Sequence, residues 1–292
     1  MHILLYLAII PVIFLLRLIY NKDREKESTK LLAWIFIFGA LSVIPIIFFE
    51  LVLEDFYPTE NIEDVKTMIF NVFISIALVE EVFKFFATYI FTRFNKEFQH
   101  RYDAIVYCVF GALGFALIEN IMYVFSGGIV TALLRAVLSI PSHCCDAVIM
   151  GLFYGLSQEK KIKGDYLYSV ALLLIGILIP SIEHALYDGL IFLSIQATEE
   201  SLVYTYIGYD LAMVVITYII CFIIVKKVAK IDTNFDGTKV NEQQNTVIAQ
   251  PVVTTYPVQV PPVDPNSQKR YCIYCGTEIT SNFCPNCGSR RV

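Results

Sequence analysis

LVEEVFKFF, residues Leu78 to Phe86, lies in the middle of an apolar run from Thr67 to Thr92. Glu80 and Glu81 stand side by side there, with Lys84 one turn later. Three further ionisable clusters interrupt the next apolar runs: Glu119-Asn120, His143 with Asp146, and Glu183-His184 with Asp188. A charge at the centre of a membrane-spanning helix costs roughly 2.5–3.5 kcal/mol even on a lenient insertion scale. Summed over these carboxylates and the lysine, the cost is on the order of 20 kcal/mol, more than the stability of an ordinary domain. These groups therefore converge on one another, on a wet cavity or on a metal. The stretch dictates a polar site inside a membrane.

The rest of the composition agrees. Of the 292 residues, 57% are hydrophobic and only 17% charged, where a soluble domain carries about 25% charged residues. Mean hydropathy is +0.62. A formal net charge of −5 and the lack of any strongly basic segment exclude an electrostatic nucleic-acid footprint. Apolar runs of spanning length fall at Ile3–Tyr20, Leu31–Leu53, Thr67–Thr92, Ala104–Phe125, Ile129–Leu156, Tyr166–Ile195 and Leu202–Val225. The expected fold is an all-α polytopic membrane bundle of about seven transmembrane helices, with a small C-terminal zinc ribbon. Met1–Tyr20 has no basic start and no small-residue cleavage site, so it is expected to stay as the first helix.

The connectors give the orientation. Lys22, Arg24, Lys26 and Lys30 lie in the first, Arg93, Lys96 and Arg101 in the third, and Lys160, Lys161 and Lys163 in the fifth. Lys226, Lys227 and Lys230 follow the last helix, while the alternate connectors are acidic or small, including Ser126-Gly127-Gly128. Positive charge on one side places the N-terminus outside and the C-terminus in the cytoplasm. Residues 1–230 read as the membrane domain. Residues 231–269, rich in Pro, Val, Thr and Gln, read as a disordered linker.

Residues 270–292 form a separate module. Cys272-Ile-Tyr-Cys275-Gly and Cys284-Pro-Asn-Cys287-Gly are two knuckles spaced to give four thiolates to one structural zinc. About twenty residues cannot bury a sufficient core, and zinc supplies the missing energy. Four cysteines leave no open coordination position, so this Zn2+ is expected to be structural and its module to serve docking or regulation with an unidentified cytoplasmic partner. The remaining cysteines, Cys108, Cys144, Cys145 and Cys221, fall in apolar runs as small hydrophobes.

Within the membrane, the run boundaries and a rise of roughly 1.5 Å per residue put Glu80, Glu81, His143 and His184 near 20 Å depth and Glu119 near 10 Å. Lys84 shares a face with Glu80, Phe115 with Glu119, and Asp188 with His184. Glu81, about 100° away from Glu80, needs another partner. Asp188 is placed to orient His184, and Asp146 shares a face with His143. Pro141 and Pro180, shortly before the two histidines, are expected to bend their helices. Two imidazoles plus a carboxylate make a catalytic-type zinc sphere with a place for water, and a second carboxylate can take that water's proton. A glutamate acting without metal is equally open.

These residues carry a family resemblance. Glu80-Glu-Val-Phe-Lys84 resembles the EExxK motif of the PrsW family of intramembrane metalloproteases, within the superfamily of CAAX prenyl endopeptidases and Abi proteins. Phe115-Ala-Leu-Ile-Glu119-Asn120 is similar to its FxxxEN motif, His143 with Gly151 and Gly155 to its third, and His184-Ala-Leu-Tyr-Asp188 to its HxxxD/N pattern. The resemblance spans roughly Leu31 to Lys227. It implies a helical bundle around a hydrophilic cavity in which a membrane protein substrate, of the anti-sigma-factor type, is cut as the first of two steps. It also implies catalytic roles for Glu80, Glu81, Lys84, Glu119, Asn120, His143, His184 and Asp188, in which Glu80 or Glu81 activates water while Glu119, His143 and His184 position it or bind a catalytic Zn2+. Glu119 replaces the histidine of the prenyl endopeptidases, which argues against a prenylated substrate. A bacterial cell membrane is the implied location.

Two other classes remain in view. Acids and histidines at the midplane also serve ion- or proton-coupled transporters, but no inverted repeat accompanies them. A silent scaffold presenting the ribbon would have no need of the acid pair and both histidines.

Overall fold

The computed structural model describes residues 2–231 and Phe235. The linker beyond Ile231 and the cysteines at 272, 275, 284 and 287 lie outside the described residues. Those described form nine α-helices and no strand: α1 (His2–Lys22), α2 (Thr29–Leu41), α3 (Val43–Glu54), α4 (Val65–Val72), α5 (Leu78–Thr92), α6 (Arg101–Val137), α7 (Ser139–Ile162), α8 (Tyr166–Gln196) and α9 (Glu200–Ile231). Five stretches are long and apolar enough to cross a membrane: 3–22, 29–54, 101–162, 166–196 and 200–231. The third takes in both α6 and α7. The run through α4 and α5 is not among the five, and its acid pair and lysine are the reason.

Local chemistry explains the breaks. Proline in the first turn of α3 leaves the carbonyl of Leu41 without its helical donor, and at the same junction the Ser42 hydroxyl donates to the Gly39 carbonyl at 2.6 Å. The helix expected at Thr67 starts at Val65, because Asp64 caps it with a 2.8 Å bond from the Thr67 amide. Between α4 and α5, Phe73–Ala77 forms one π-helical turn, in which the Leu78 amide reaches back to the Phe73 carbonyl. Such a wide turn slips the register of the helix that follows, and the acid pair comes directly after it.

Two expected spans are revised here. Gly128 has φ 76° and ψ −157°, so the helical path breaks there, at a conformation open to glycine. Residues 129–137 form a short separate helix, and α7 begins only at Ser139. His143 therefore sits in the first two turns of its helix, so the depth expected from a span starting at Ile129 does not apply. Pro141 falls in the first turn of α7, where its missing amide costs nothing and no bend is needed. Pro180 is the interior proline, within α8.

The core is built around α6. Tyr102, Ile105, Val106, Tyr107, Val109, Leu113 and Ala116 on that helix are buried and pack against α1, α2, α5 and α7. Glycines let backbones touch. A Cβ on Gly39 of α2 would lie 2.0 Å from the Gly111 carbonyl oxygen, and one on Gly114 would lie 2.1 Å from that of Phe36. Gly151 and Gly155 of α7 abut Ile105 and Arg101 of α6 in the same way. The outward faces of α1, α3, α8 and α9 show rows of exposed Ile, Leu, Val and Phe, as a lipid-facing surface requires.

Candidate active site

On α5, Glu80, Glu81 and Lys84 are all buried, Glu81 completely. The Lys84 ammonium donates to Glu80 Oε2 at 2.7 Å and to Glu81 Oε1 at 2.8 Å. One lysine therefore holds both acids, and Glu81 also has the further partner expected for it, His184 of α8. The i,i+3 and i,i+4 spacings both lie within a lysine's reach. Beneath the ammonium lies the Phe115 ring, its centroid 4.4 Å away, a cation–π contact in a dry setting.

Three other helices close on this pair. From α7, His143 accepts the third Lys84 N–H at its Nδ1, 3.2 Å away. That leaves the His143 Nε2–H to donate to Glu119 Oε2 of α6 at 2.9 Å, which fixes the tautomer. From α8, His184 Nδ1 stands 3.1 Å from Glu81 Oε1 and its Nε2 3.2 Å from Asp188 Oδ2. The two imidazole rings meet edge to face at 5.5 Å. Asp188 thus takes the orienting position expected for it.

The short helix after Gly128 brings Arg135 back to the site. Its Nη2 pairs with Glu119 Oε2 at 2.9 Å and its Nε donates to Asn120 Oδ1 at 3.0 Å. Asn120 in turn donates to the Ala8 carbonyl of α1. Arg135 thus anchors the Glu119-Asn120 pair. Only the chain reversal at Gly128 makes this contact, and reversals are poorly encoded in apolar periodicity.

Glu50 is the residue that sequence reasoning missed. It lies on α3 one turn beyond buried Ile46, within electrostatic reach of Glu80, Glu119, His184 and Lys84. Among the described residues it makes no hydrogen bond or ion pair. Its only sequence signal was a single acid in an apolar run, three residues from the expected end at Leu53. Asp146 and Glu183 face each other beside this group, within electrostatic reach of Glu81 and His184, and Asp146 makes no bond to His143 among the described residues.

Donor atoms of Glu80, Glu81, His143 and His184 lie within 4.8 Å of one another, all buried. Two imidazoles and two carboxylates suit zinc or a similar divalent ion. Glu81 Oε2, buried and without a hydrogen-bond partner, is an orphaned acceptor that a water or a cation would satisfy. The residues therefore fit a metal. Glu119 stands outside this foursome, bonded to the far nitrogen of His143.

The profile of the PrsW family of intramembrane metalloproteases matches residues 27–225. Among curated proteins, "Protease PrsW" of Geobacillus kaustophilus is 37% identical over 63% of this chain and 77% of its own length. The proteins of that name from Bacillus subtilis and Clostridioides difficile are each 34% identical, over 62% and 65% of this chain and 79% of their own lengths. No solved structure matches the chain significantly. With the profile covering most of the membrane domain and these bacterial relatives agreeing, the chain is a membrane-embedded protease and belongs to the PrsW family.

Proposed function

We propose that this protease cuts its substrate inside the bilayer, using a water activated at the Glu80–Glu81–His143–His184 group. The observation that carries the reading is the convergence of those four donors within 4.8 Å, from α5, α7 and α8, beside an orphaned carboxylate oxygen. Glu81 takes the water's proton through Oε2 and later returns it to the departing amine nitrogen. Glu80, His143 Nδ1 and His184 would hold a divalent ion. When bound, such an ion polarises the scissile carbonyl and lowers the pKa of water. Glu119, braced by Arg135, orients His143; Asp188 orients His184. Lys84 keeps the two acids together at a depth where they would otherwise repel.

The substrate class is a membrane-spanning protein of the anti-sigma-factor type, as the family resemblance implies. The domain crosses the bilayer seven times, counting α2–α3 and α4–α5 as one crossing each, with its N-terminus outside. The C-terminal cysteine module holds a structural zinc in the cytoplasm and docks a partner there. The meeting of two glutamates and two histidines at one point also favours hydrolysis over transport.

The test uses the full-length protein in proteoliposomes with a mixed library of single-span membrane peptides. Wild type is expected to cleave, and Glu81→Gln to lose at least 100-fold in kcat, in line with a general base's contribution. Metal content is measured in parallel on His143→Ala and His184→Ala, each of which is expected to lose one equivalent. Cleavage that persists in Glu81→Gln overturns the assignment of the base. Cleavage without metal converts the reading to a glutamate-only hydrolase.

A further inference from the structure

The lysine of the acid pair occupies the place of a cation. An ammonium has three N–H donors, and those of Lys84 end on Glu80 Oε2, Glu81 Oε1 and His143 Nδ1 at 2.7, 2.8 and 3.2 Å. These are three of the four residues whose donor atoms converge. The His143 lone pair in question is the one turned inward, since its Nε2–H is committed to Glu119. A divalent ion bound by the same lone pairs and this ammonium cannot share the site. Both are positive, and both need Glu80 and the inward nitrogen of His143.

The ammonium must then have somewhere to go. A buried cation without a counter-charge is costly, so a second acceptor has to lie within the arc of the side chain. Lys84 is 1% exposed and its surroundings are apolar on one side, where Phe115 lies. Glu119 is already paired with Arg135 and His143, and Asp188 with His184. The uncommitted carboxyl on that side is Glu50, one turn beyond Ile46, which packs with the Phe115 ring that lies under the ammonium. The charge count agrees. Five carboxyls (Glu50, Glu80, Glu81, Glu119 and Asp188) face two permanent cations, Lys84 and Arg135. An arriving divalent cation fits that imbalance if Lys84 stays charged and re-pairs.

We propose that Lys84 is a built-in placeholder for the metal: its ammonium fills the site until an ion arrives, then swings to Glu50 on α3. The placeholder keeps two adjacent acids assembled within the membrane before metal is loaded. It also makes Glu50 a positioning residue, whose carboxylate stabilises the loaded state without touching the ion. This rests on the metal reading of the site given above.

The test is a double-mutant cycle read as metal affinity, not activity, on full-length protein titrated with Co2+. Thiolate charge-transfer absorption reports any cobalt on the cysteine module, so the Glu/His site is read separately from its d–d bands. Lys84→Met is expected to bind Co2+ on the order of tenfold more tightly, because the competitor is gone. Glu50→Gln is expected to bind it more weakly by a similar factor in the wild-type background and with unchanged affinity in the Lys84→Met background. That loss of effect separates a re-paired lysine from a general field, which would weaken both backgrounds alike. Equal weakening in both, or an affinity indifferent to Lys84, overturns the placeholder and leaves the metal reading standing. No cobalt at the Glu/His group in any variant overturns both. Monodispersity in size exclusion is the folding control. If Lys84→Met does not assemble, Lys84→Gln takes its place in the cycle, and an unchanged affinity in Glu50→Gln alone suffices to overturn the proposal.

Discussion

Gly39→Ala is the sharpest probe of how the bundle is held. The added Cβ would sit 2.0 Å from the Gly111 carbonyl oxygen, 2.8 Å from its carbon and 3.0 Å from its Cα. A normal carbon–oxygen contact is roughly 3.2 Å, so α2 and α6 must part by about 1.2 Å at their crossing; a gap near that size forfeits a quarter to a half of the local dispersion energy. No rotamer can relieve the clash, because the atoms the Cβ meets are all backbone. Leu32 and Ile35, buried on the same face of α2, lose contact with α6 together. Overpacking costs about 1–3 kcal/mol and the gap adds to it, while alanine's helix propensity returns at most about 1 kcal/mol. The net expectation is a loss of about 2–3 kcal/mol, or a fall of roughly 5–10 °C in melting midpoint for a domain of this size. Scanning fluorimetry in detergent measures it. Gly208→Ala in α9 is the internal control, since a Cβ there meets nothing within 4 Å and the midpoint should hold or rise. A Gly39→Ala midpoint within about 2 °C of wild type, or equal falls in both variants, would refute the close-crossing argument.

Three further outcomes are expected. Arg135→Gln removes the 2.9 Å ion pair to Glu119 and the bond to Asn120; because it braces His143 only through Glu119, kcat should fall about tenfold with KM little changed, and a rise in KM alone would contradict that role. Asp146→Asn replaces a buried acid that faces Glu183 without a basic partner, so stability should hold or rise by on the order of 1 kcal/mol; a large drop in the melting midpoint would show that the charge is needed. In the loop between α1 and α2, burial first and then Asp103 push the Glu27 carboxyl up to about 8, against the opposing bond from Tyr107. A raised acid favours the folded state in its protonated form, so this contribution is complete below the unfolded value near pH 4.3 and is lost as pH rises through about 8. Melting midpoints from pH 5 to 9 should decline, and Glu27→Gln should flatten that decline.

The sequence made the site legible wherever the pairing was within one helix or the penalty was for a cluster. Glu80 with Lys84 and His184 with Asp188 follow from helical spacing alone, and the cost of burying them in lipid required the four helices to bring them together. What stayed hidden depends on the path of the chain. The run from Ile129 to Leu156 reads as one span, and its one boundary mark, Pro141, reads as a bend although it lies in the first turn of a new helix. Yet the φ of 76° at Gly128 is what returns Arg135 to Glu119. The π turn at Phe73–Ala77 is equally silent, since a slipped register changes no residue type.

Glu50 shows the limit from the other side. The rule that found Glu80 and Glu81 is the cost of ionisable groups in apolar runs, and Glu50 obeys it. It escaped because a single acid near an expected helix end has a cheaper reading, that of reaching the interface. The fold removes that reading by seating Ile46, one turn earlier, against Phe115, which turns Glu50 inward towards the lysine. An isolated membrane carboxyl on the core face of its helix therefore carries as much information as a motif. Its face, more than its depth, separates an interfacial anchor from a member of the site.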